Sequence, residues 1–308
     1  MAFSATIEPL RGANFVAGMP LYSWNFYSAD GGPVASSSGV VIDTQPNTIL
    51  ETGSADLVLV CAGVNVENHY DRRLAVNLNR LHRHGVLVGA VSTGVFILAD
   101  AGLLHGRTCS VHWHSRDAFG HMYPDVEISN DLFTIDRGVY TCSGGTAAMD
   151  MMLHLIAHQH GAELSSLAAD QFIHGSLREP TTVQRMALRE RIGTHDRHVI
   201  RAIEIMEAAC ETPISAADIA ARLGISLRKL ERRFRRELGE TPLQHYARLR
   251  LERANRLLAQ TDLSVTAIAA ACGYESASYF ARLYREQIGM TPTNFRRRQA
   301  DRVPVSDS

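Results

Sequence analysis
Residues 90–94, Ala-Val-Ser-Thr-Gly, set one serine between small neighbours, after an apolar run and before a helical one. This is the spacing of a nucleophile elbow, where small flanks let a sharp strand-to-helix turn expose one side chain. A serine hydroxyl attacks at neutral pH only with an adjacent base, and the sequence assigns no Ser-His-Asp set. The other chemistry open to Ser92 is binding. Its hydroxyl and the amides after it suit a carboxylate, because the start of a helix favours an anion. A cationic group would need an aromatic face, and Trp24, Phe26 and Trp113 each offer one. His154 and His158 have the i,i+4 spacing of helix zinc ligands and His160 follows, but no third ligand is evident and no metal is expected. His112 and His114 flank Trp113 without a wider cluster. Five cysteines, an odd count with no CxxC pair, fit buried thiols in a reducing cytoplasm. No cofactor is expected.

Arginine carries the second chemistry. The chain has 308 residues and a net charge of -1, which by itself argues against a nucleic-acid partner. The charge is divided, however. Residues 1–194 hold 12 Arg and no Lys against 18 acidic side chains, net -6. Residues 195–308 hold 18 Arg and Lys229 against 14 acidic side chains, net +5. Within that basic part, ISAADIAARLGISLRKLERRFRRELGETP (214–242) and LSVTAIAAACGYESASYFARLYREQIGMTP (263–292) share a pattern. Each has a Ser cap (Ser215, Ser264), a helix with Ile-Ala-Ala, a Gly turn (Gly224, Gly273), a second helix and a closing G-x-T-P. Ala220 and Ala269 are small where two helices must approach. Leu230 with Phe234, and Phe280 with Tyr284, are i,i+4 pairs facing a core. Pro242 and Pro292 follow helix ends, where proline is tolerated. The pattern is a helix-turn-helix twice over, with 243–260 as one long amphipathic helix fixing the two units.

The elements that must position the elbow lie upstream. LVLVCAG (57–63) and VLVGAV (86–91) read as buried strands. Residues 71–85, 94–104 and about 146–160 read as helices, the first closed by Gly85. Buried strands alternating with helices predict an α/β fold with a mostly parallel sheet. YSWNFYSADGGPVASSSGVVIDT reads as a strand, a Gly-Gly-Pro turn and a more polar strand. No run of 18 apolar residues occurs, so no membrane span is expected, and the N-terminus has no secretory pattern. The expected organisation is a ligand-sensing domain over 1–175, a linker over 176–196, a DNA-binding domain over 197–300 and a tail over 301–308.

The duplicated motif, ending in GYESASYFARLYREQIGMTPTNFRR, resembles the DNA-binding domain of AraC/XylS regulators. The resemblance implies that each second helix enters a major groove, the two about one DNA turn apart. Arg228, Glu231 and Arg232 would then face bases in the first unit, and Ala277, Ser278 and Arg282 in the second. Arg235, Arg236, Arg285 and the run Arg296–Arg298, with Arg297 at its centre, would meet phosphates. An Arg fork reads guanine O6 and N7 together, so arginine is the better reader.

The stretches AVSTGVFILADAGLLHGRTCSVHW and YTCSGGTAAMDMMLHLIAHQHG, with EPLRGAN and QFIHGSLREPTTVQRMALRERIGTHD, resemble GlxA-like AraC-family regulators. Within that group the chain is most similar to activators of glycine-betaine and carnitine catabolism. Their sensor domain is similar to PfpI proteases and class I glutamine amidotransferases, which implies a flavodoxin-like α/β fold. The enzymes carry cysteine at the elbow, often beside histidine. Here Ser92 and Thr93 stand there, implying a retired catalytic site turned ligand pocket. By family position, Glu8 would face the elbow, and His112 and Trp113 match a His-Trp pair after the elbow helix. The expected pocket is thus Glu8, Ser92, Thr93, His112 and Trp113. The family's first buried strand has no counterpart ahead of EPLR, so two strands should lack a neighbour unless another fills the slot. The reading is a cytoplasmic regulator, by family an activator, with promoter DNA, a small effector and RNA polymerase as partners and a homodimer through the sensor. The effector would be a quaternary amine or an amino-acid-like compound. Two alternatives are a sensor that retains hydrolase or amidase activity through Ser92, and a ligand-free dimerisation module.

Overall fold
The first helix, α1 (Ala2–Ala17), carries EPLR and stops at Gly18, φ 66°. Trp24 then lies in irregular chain, not in the strand expected for it. Three short strands follow, β1 (Tyr27–Ser28), β2 (Gly32–Ala35) and β3 (Val41–Pro46). They form a separate sheet in the order β1-β3-β2. The computed structural model describes residues 1–47, 55–63, 66, 72–185 and 187–300, so the expected tail lies outside the described residues. They form two units, Met1–Gln184 and the chain from Arg185 onward.

The main sheet of the first unit begins with β4 (Leu57–Ala62), followed by α2 (Arg72–Arg83), β5 (Leu87–Ser92) and α3 (Gly94–Asp100). Helix α3 ends earlier than the expected 104, where Gly102 adopts φ 70°. Next come β6 (Thr108–Ser110), α4 (Arg116–Met122), β7 (Glu127–Ser129), β8 (Phe133–Asp136) and β9 (Val139–Cys142). Two helices close the unit, α5 (Ala147–His160) and α6 (Ala162–Asp170). Strand order is β4-β5-β9-β8, the first three parallel and β8 antiparallel. Alternation along β5 sends Val88 and Ala90 to a core with Leu78 of α2 and Leu98 of α3. Val91 points the other way, to Ala5 of α1 and Met151 and Met152 of α5. Both faces of β5 are therefore covered, as its unbroken apolar run requires.

Strand β4 lies at one edge of the main sheet. Among the described residues β4 pairs with β5 alone, and no strand joins it to the β1-β3-β2 sheet. β4 is accordingly half-buried with Cys61 exposed, in contrast to the buried strand expected.

The second unit is helical: α7 (Leu188–Ile192), α8 (Arg197–Ala208), α9 (Ala216–Arg222), α10 (Leu227–Leu238), α11 (Pro242–Gln260), α12 (Val265–Ala271), α13 (Ala277–Ile288) and α14 (Pro292–Ala300). The caps stand where the repeat puts them. Ser215 accepts from the Asp218 amide, Ser226 from Lys229, Ser264 from Ala267 and Ser276 from Tyr279. Each such cap is worth about 1 kcal/mol. Thr241 and Gln244 form a capping box with Pro242 in the first turn, so this proline opens a helix as well as following one. Two cores result. Ile219, Ala220, Leu230, Phe234 and Tyr246 meet α8 in the first. Leu251, Leu257, Leu258, Ile268, Phe280 and Tyr284 fill the second. The long helix α11 serves both, through Tyr246 near its start and Leu251 to Leu258 further on.

Residues 176–196, expected as a linker, are shared between the units. Pro180 and Gln184 bond within the first, through the Leu132 amide and the Val111 carbonyl. Leu188 and Ile192 pack on the first helix-turn-helix core, and Arg191 pairs with Glu207. Of the segment's polar side chains, Gln184 and Arg191 are spent on these bonds.

Candidate functional site
The elbow has the strain its spacing implies. Ser92 closes β5 with φ 60°, a left-handed conformation uncommon for a residue other than glycine. Gly144, φ 96°, sits against it, and a Cβ there would lie 2.9 Å from Ser92 Cβ. Beside this contact, at the carboxyl ends of the strands, is a cavity of about 200 Å³. Open α/β sheets bind ligands at this edge. Its walls are His112 and Trp113 after β6, Leu132, the turn Ser143–Ala147 that leads into α5, and Arg178 and Gln184. A wider hollow of about 420 Å³ along β8, bordered by Asp136 and His154, lies away from the elbow.

Of the five expected pocket residues, His112 and Trp113 line the cavity. Ser92 borders it through Gly144. Thr93 does not join them, because its hydroxyl donates to the Gly63 carbonyl. Glu8 stands apart on a half-exposed face of α1, where Arg11 Nε donates to its carboxylate at 2.7 Å. Glu8 is not among the residues that line the cavity. Burial, and then the charge of His114, push the His112 imidazole below its ordinary value, so it is neutral at pH 7. Trp24 and Phe26 do not line the cavity, and Phe26 packs on Phe3 instead. His154 packs on Phe133, and His160 meets Tyr22 edge-on.

Sequence reasoning missed Arg178 and Gln184, both within the expected linker. Gln184 donates to the carbonyls of Val111 and Asp131 at 3.1 and 2.8 Å and accepts from the Trp113 amide at 2.9 Å. Arg178 is held by Asp150 of α5, whose side chain is fully buried. Asp150 Oδ2 takes Arg178 Nε at 3.0 Å and also Nη2, while Oδ1 takes the Arg178 amide and His174 Nε2. The one available signal was a lone aspartate on an otherwise apolar helix face, MDMML, since a buried carboxylate demands partners.

In the second unit, α10 buries Leu230 and Phe234 and exposes Arg228, Arg232 and Arg235 on the opposite side, at i, i+4 and i+7. Glu231 is half-buried beside them. On α13 the equivalent exposed row is Ser278, Arg282 and Arg285, with Ala277 half-buried at its start. Tyr279, half exposed and missed in the sequence, adds an aromatic face with the Arg282 guanidinium 5.6 Å from its ring centre. Arg297 is exposed on α14.

Two arginines expected on phosphates also make bonds within the protein. Arg236 bonds to Asp196, the N-cap of α8, at 3.1 Å and to Glu237 at 2.7 Å. Arg296 donates to the Leu258 and Leu263 carbonyls, at 3.3 and 2.5 Å, at the end of α11 and the chain after it. Both fasten helices together. Burial works to raise the Asp196 carboxyl, but the bonds from Arg233 and from the His198 and Val199 amides outweigh it and hold it below the ordinary range.

A further joint sets the two helix-turn-helix units against each other. Gly273, φ 71°, packs so closely that a Cβ would lie 2.4 Å from Pro213 and 2.8 Å from the Cys210 carbonyl. Arg250 of α11 donates to the Cys272 and Gly273 carbonyls, both at 2.7 Å, and stacks 3.8 Å from the Tyr274 ring centre. Arg253 adds a bond to the Ala271 carbonyl.

An α/β domain with a strained elbow, followed by a duplicated helix-turn-helix with exposed arginine rows, defines a two-domain DNA-binding regulator. Comparison with known proteins agrees. Residues 16–158 match the DJ-1/PfpI family, and residues 219–298 match a helix-turn-helix domain family. The HTH-type transcriptional regulator CdhR of Pseudomonas aeruginosa is 40% identical over 297 residues, 96% of this chain and 88% of that protein. GbdR from the same species is 40% identical over 99% of this chain and 83% of its own length. GlxA of Rhizobium meliloti is 36% identical over 97% and 92%. A crystal structure of an AraC family transcriptional regulator from Pseudomonas putida, 26% identical, superposes with a TM-score of 0.51 over 56% of this chain and 91% of that one. The chain belongs to the GlxA/GbdR/CdhR type of AraC-family transcriptional regulators. It is a DNA-binding regulator, its relatives being named HTH-type transcriptional regulators. No described helix is long and apolar enough to cross a membrane.

Proposed function
We propose that the α/β unit binds a small effector in the cavity beside Ser92 and that the protein activates transcription from promoter DNA in response. The observation that carries this is one cavity with an aromatic wall, His112 and Trp113, a turn leading into a long helix, Ser143–Ala147, and a guanidinium, Arg178. Such a lining suits a zwitterion with a cationic head and an acidic end. A quaternary amine or amino-acid-like compound has that shape, and the space holds roughly six or seven water volumes. The cytoplasm, RNA polymerase as a partner and a homodimer through this unit belong to the same proposal. Isothermal titration of the full chain with glycine betaine, dimethylglycine, carnitine and arginine tests the class. Heat with one of them that is weakened by Trp113→Ala supports it, and no heat with any of the four overturns it.

On the DNA side, we propose that Arg228, Glu231 and Arg232, and Ala277, Ser278 and Arg282, face bases, with Arg235, Arg285 and Arg297 on phosphates. Arg232→Ala is then expected to relax one base position at a cost of about 1–3 kcal/mol, whereas Arg297→Ala weakens all sequences alike. Binding to a randomised DNA pool reads both, and equal effects on every sequence would contradict the assigned roles.

A further inference from the structure
We infer that Arg178 is the anchor for a carboxylate on the effector, and that its grip orders the strap of chain, residues 174–184, that leads into the DNA-binding unit. The inference rests on the cavity being the effector site.

The geometry favours Arg178 over the elbow. Helix α3 is only seven residues long and its N-cap hydroxyl, Thr93, is spent on the Gly63 carbonyl. Arg178 lines the cavity with its side chain one-third exposed. Its Nε and Nη2 are taken up by Asp150 and Thr146, and Nη1 makes no hydrogen bond to a described residue. A guanidinium fixed by Asp150 and Thr146, with Nη1 left over, is preorganised to donate from Nη1 to one oxygen of a carboxylate. Asp150 already balances the charge of Arg178. A carboxylate would therefore be held by directed bonds, and by the turn 143–146 at the start of the 14-residue α5, more than by net attraction.

The strap has no helix or strand of its own. It is tied down at His174 and Arg178 by Asp150, at Pro180 by the Leu132 amide and at Gln184 by Val111, Asp131 and Trp113. Segments held by a few scattered bonds open more readily than helices or sheets, so an added bond at Arg178 is felt along them. The residue after Gln184 opens the second unit. Capture of the effector is thereby linked to the order of the segment entering the DNA-binding unit.

The test uses the full chain and acetate as the probe, with chloride at equal ionic strength as control. Hydrogen exchange of residues 174–184 is followed by mass spectrometry. Acetate is expected to slow exchange in the wild type and to have no effect in Arg178→Gln. The double variant Asp150→Asn/Arg178→Gln leaves no buried unpaired charge, keeps the test valid if the single variant misfolds, and is also expected to be blind to acetate. Any of the four zwitterions that binds should lose affinity in these variants by roughly tenfold to a hundredfold. No acetate effect in the wild type, or an effect that survives both variants, overturns the inference. Silent zwitterions with Arg178-dependent acetate protection would sink the proposed effector class and leave the anchor standing. Zwitterion binding unchanged in both variants would do the reverse.

Discussion

Arg250→Met is the most informative single change in the DNA-binding unit. Arg250 bridges α11 to the turn of the second helix-turn-helix with two 2.7 Å bonds and a stack on Tyr274 at 3.8 Å. Hydrogen bonds involving a charged group contribute about 1.5–3 kcal/mol each, and a partly buried cation–π contact about 0.5–2 kcal/mol. These terms are not additive, and methionine keeps much of the aliphatic packing, so the expected net loss is about 2–4 kcal/mol. For a helical unit of this size that is a fall of roughly 10 °C in its melting midpoint. Arg250→Lys should fall between, since an ammonium keeps the charge but cannot fork across two carbonyls. The assay is thermal unfolding of the full chain with hydrogen exchange assigning each transition to a unit. Binding to a two-half-site DNA should weaken more than binding to a single half-site, because the joint at Gly273 orients one unit against the other. If Arg250→Met melts within about 1 °C of wild type and binds the two-site DNA normally, the joint is idle and the reasoning fails.

Three further outcomes are expected. Asp196 is held below the ordinary carboxylate range, so its ion pairs stabilise above about pH 4 and are lost as pH falls through its lowered value. Asp196→Asn should therefore cost about 1–3 kcal/mol in urea unfolding at pH 7, and the cost should shrink as pH falls through the lowered value; a cost that does not change with pH would refute the assignment. Gly144→Val forces a branched side chain to φ 96° and against Ser92, at an expected cost of about 1–3 kcal/mol in denaturant unfolding of the first unit, and a neutral result would show the elbow to be slack. Arg296→Ala and Arg297→Ala, neighbours in sequence, should separate. The first is expected to lower the unfolding midpoint of the second unit while leaving the salt dependence of DNA binding unchanged. The second should lower the salt slope by about one with stability within about 0.5 kcal/mol, and identical behaviour would contradict their assigned roles.

The parts legible in the sequence were those governed by short-range rules. A serine before an Ile-Ala-Ala helix caps whatever lies beyond it, and Ser215 and Ser264 do so. Gly224 and Gly273 take positive φ because the turn demands it. Leu230, Phe234, Phe280 and Tyr284 are buried because they recur at helical spacing opposite charge. Ser92 takes φ 60° at a tight turn that its small neighbours permit.

The candidate site was less legible. His112 and Trp113 line the cavity as the family position suggested, but the cavity's other lining includes Arg178 and Gln184, more than 60 residues further along the chain. No local pattern marks them, since their partners are a buried aspartate and two backbone carbonyls brought near only by folding. Glu8 is not among the cavity's lining residues and pairs with Arg11 one turn along the helix.

By itself the sequence determined the two-part division, the α/β and duplicated helical folds, and which faces are apolar, since periodicity, caps and charge counts follow from near neighbours. The tertiary structure alone decided what each arginine does. Arg232 and Arg297 are left to solvent, Arg236 and Arg296 lock helices, Arg250 joins the two helix-turn-helix units and Arg178 walls a cavity. All carry the same group, and a guanidinium bonds to whichever carboxylates and carbonyls the fold brings within about 3 Å of it.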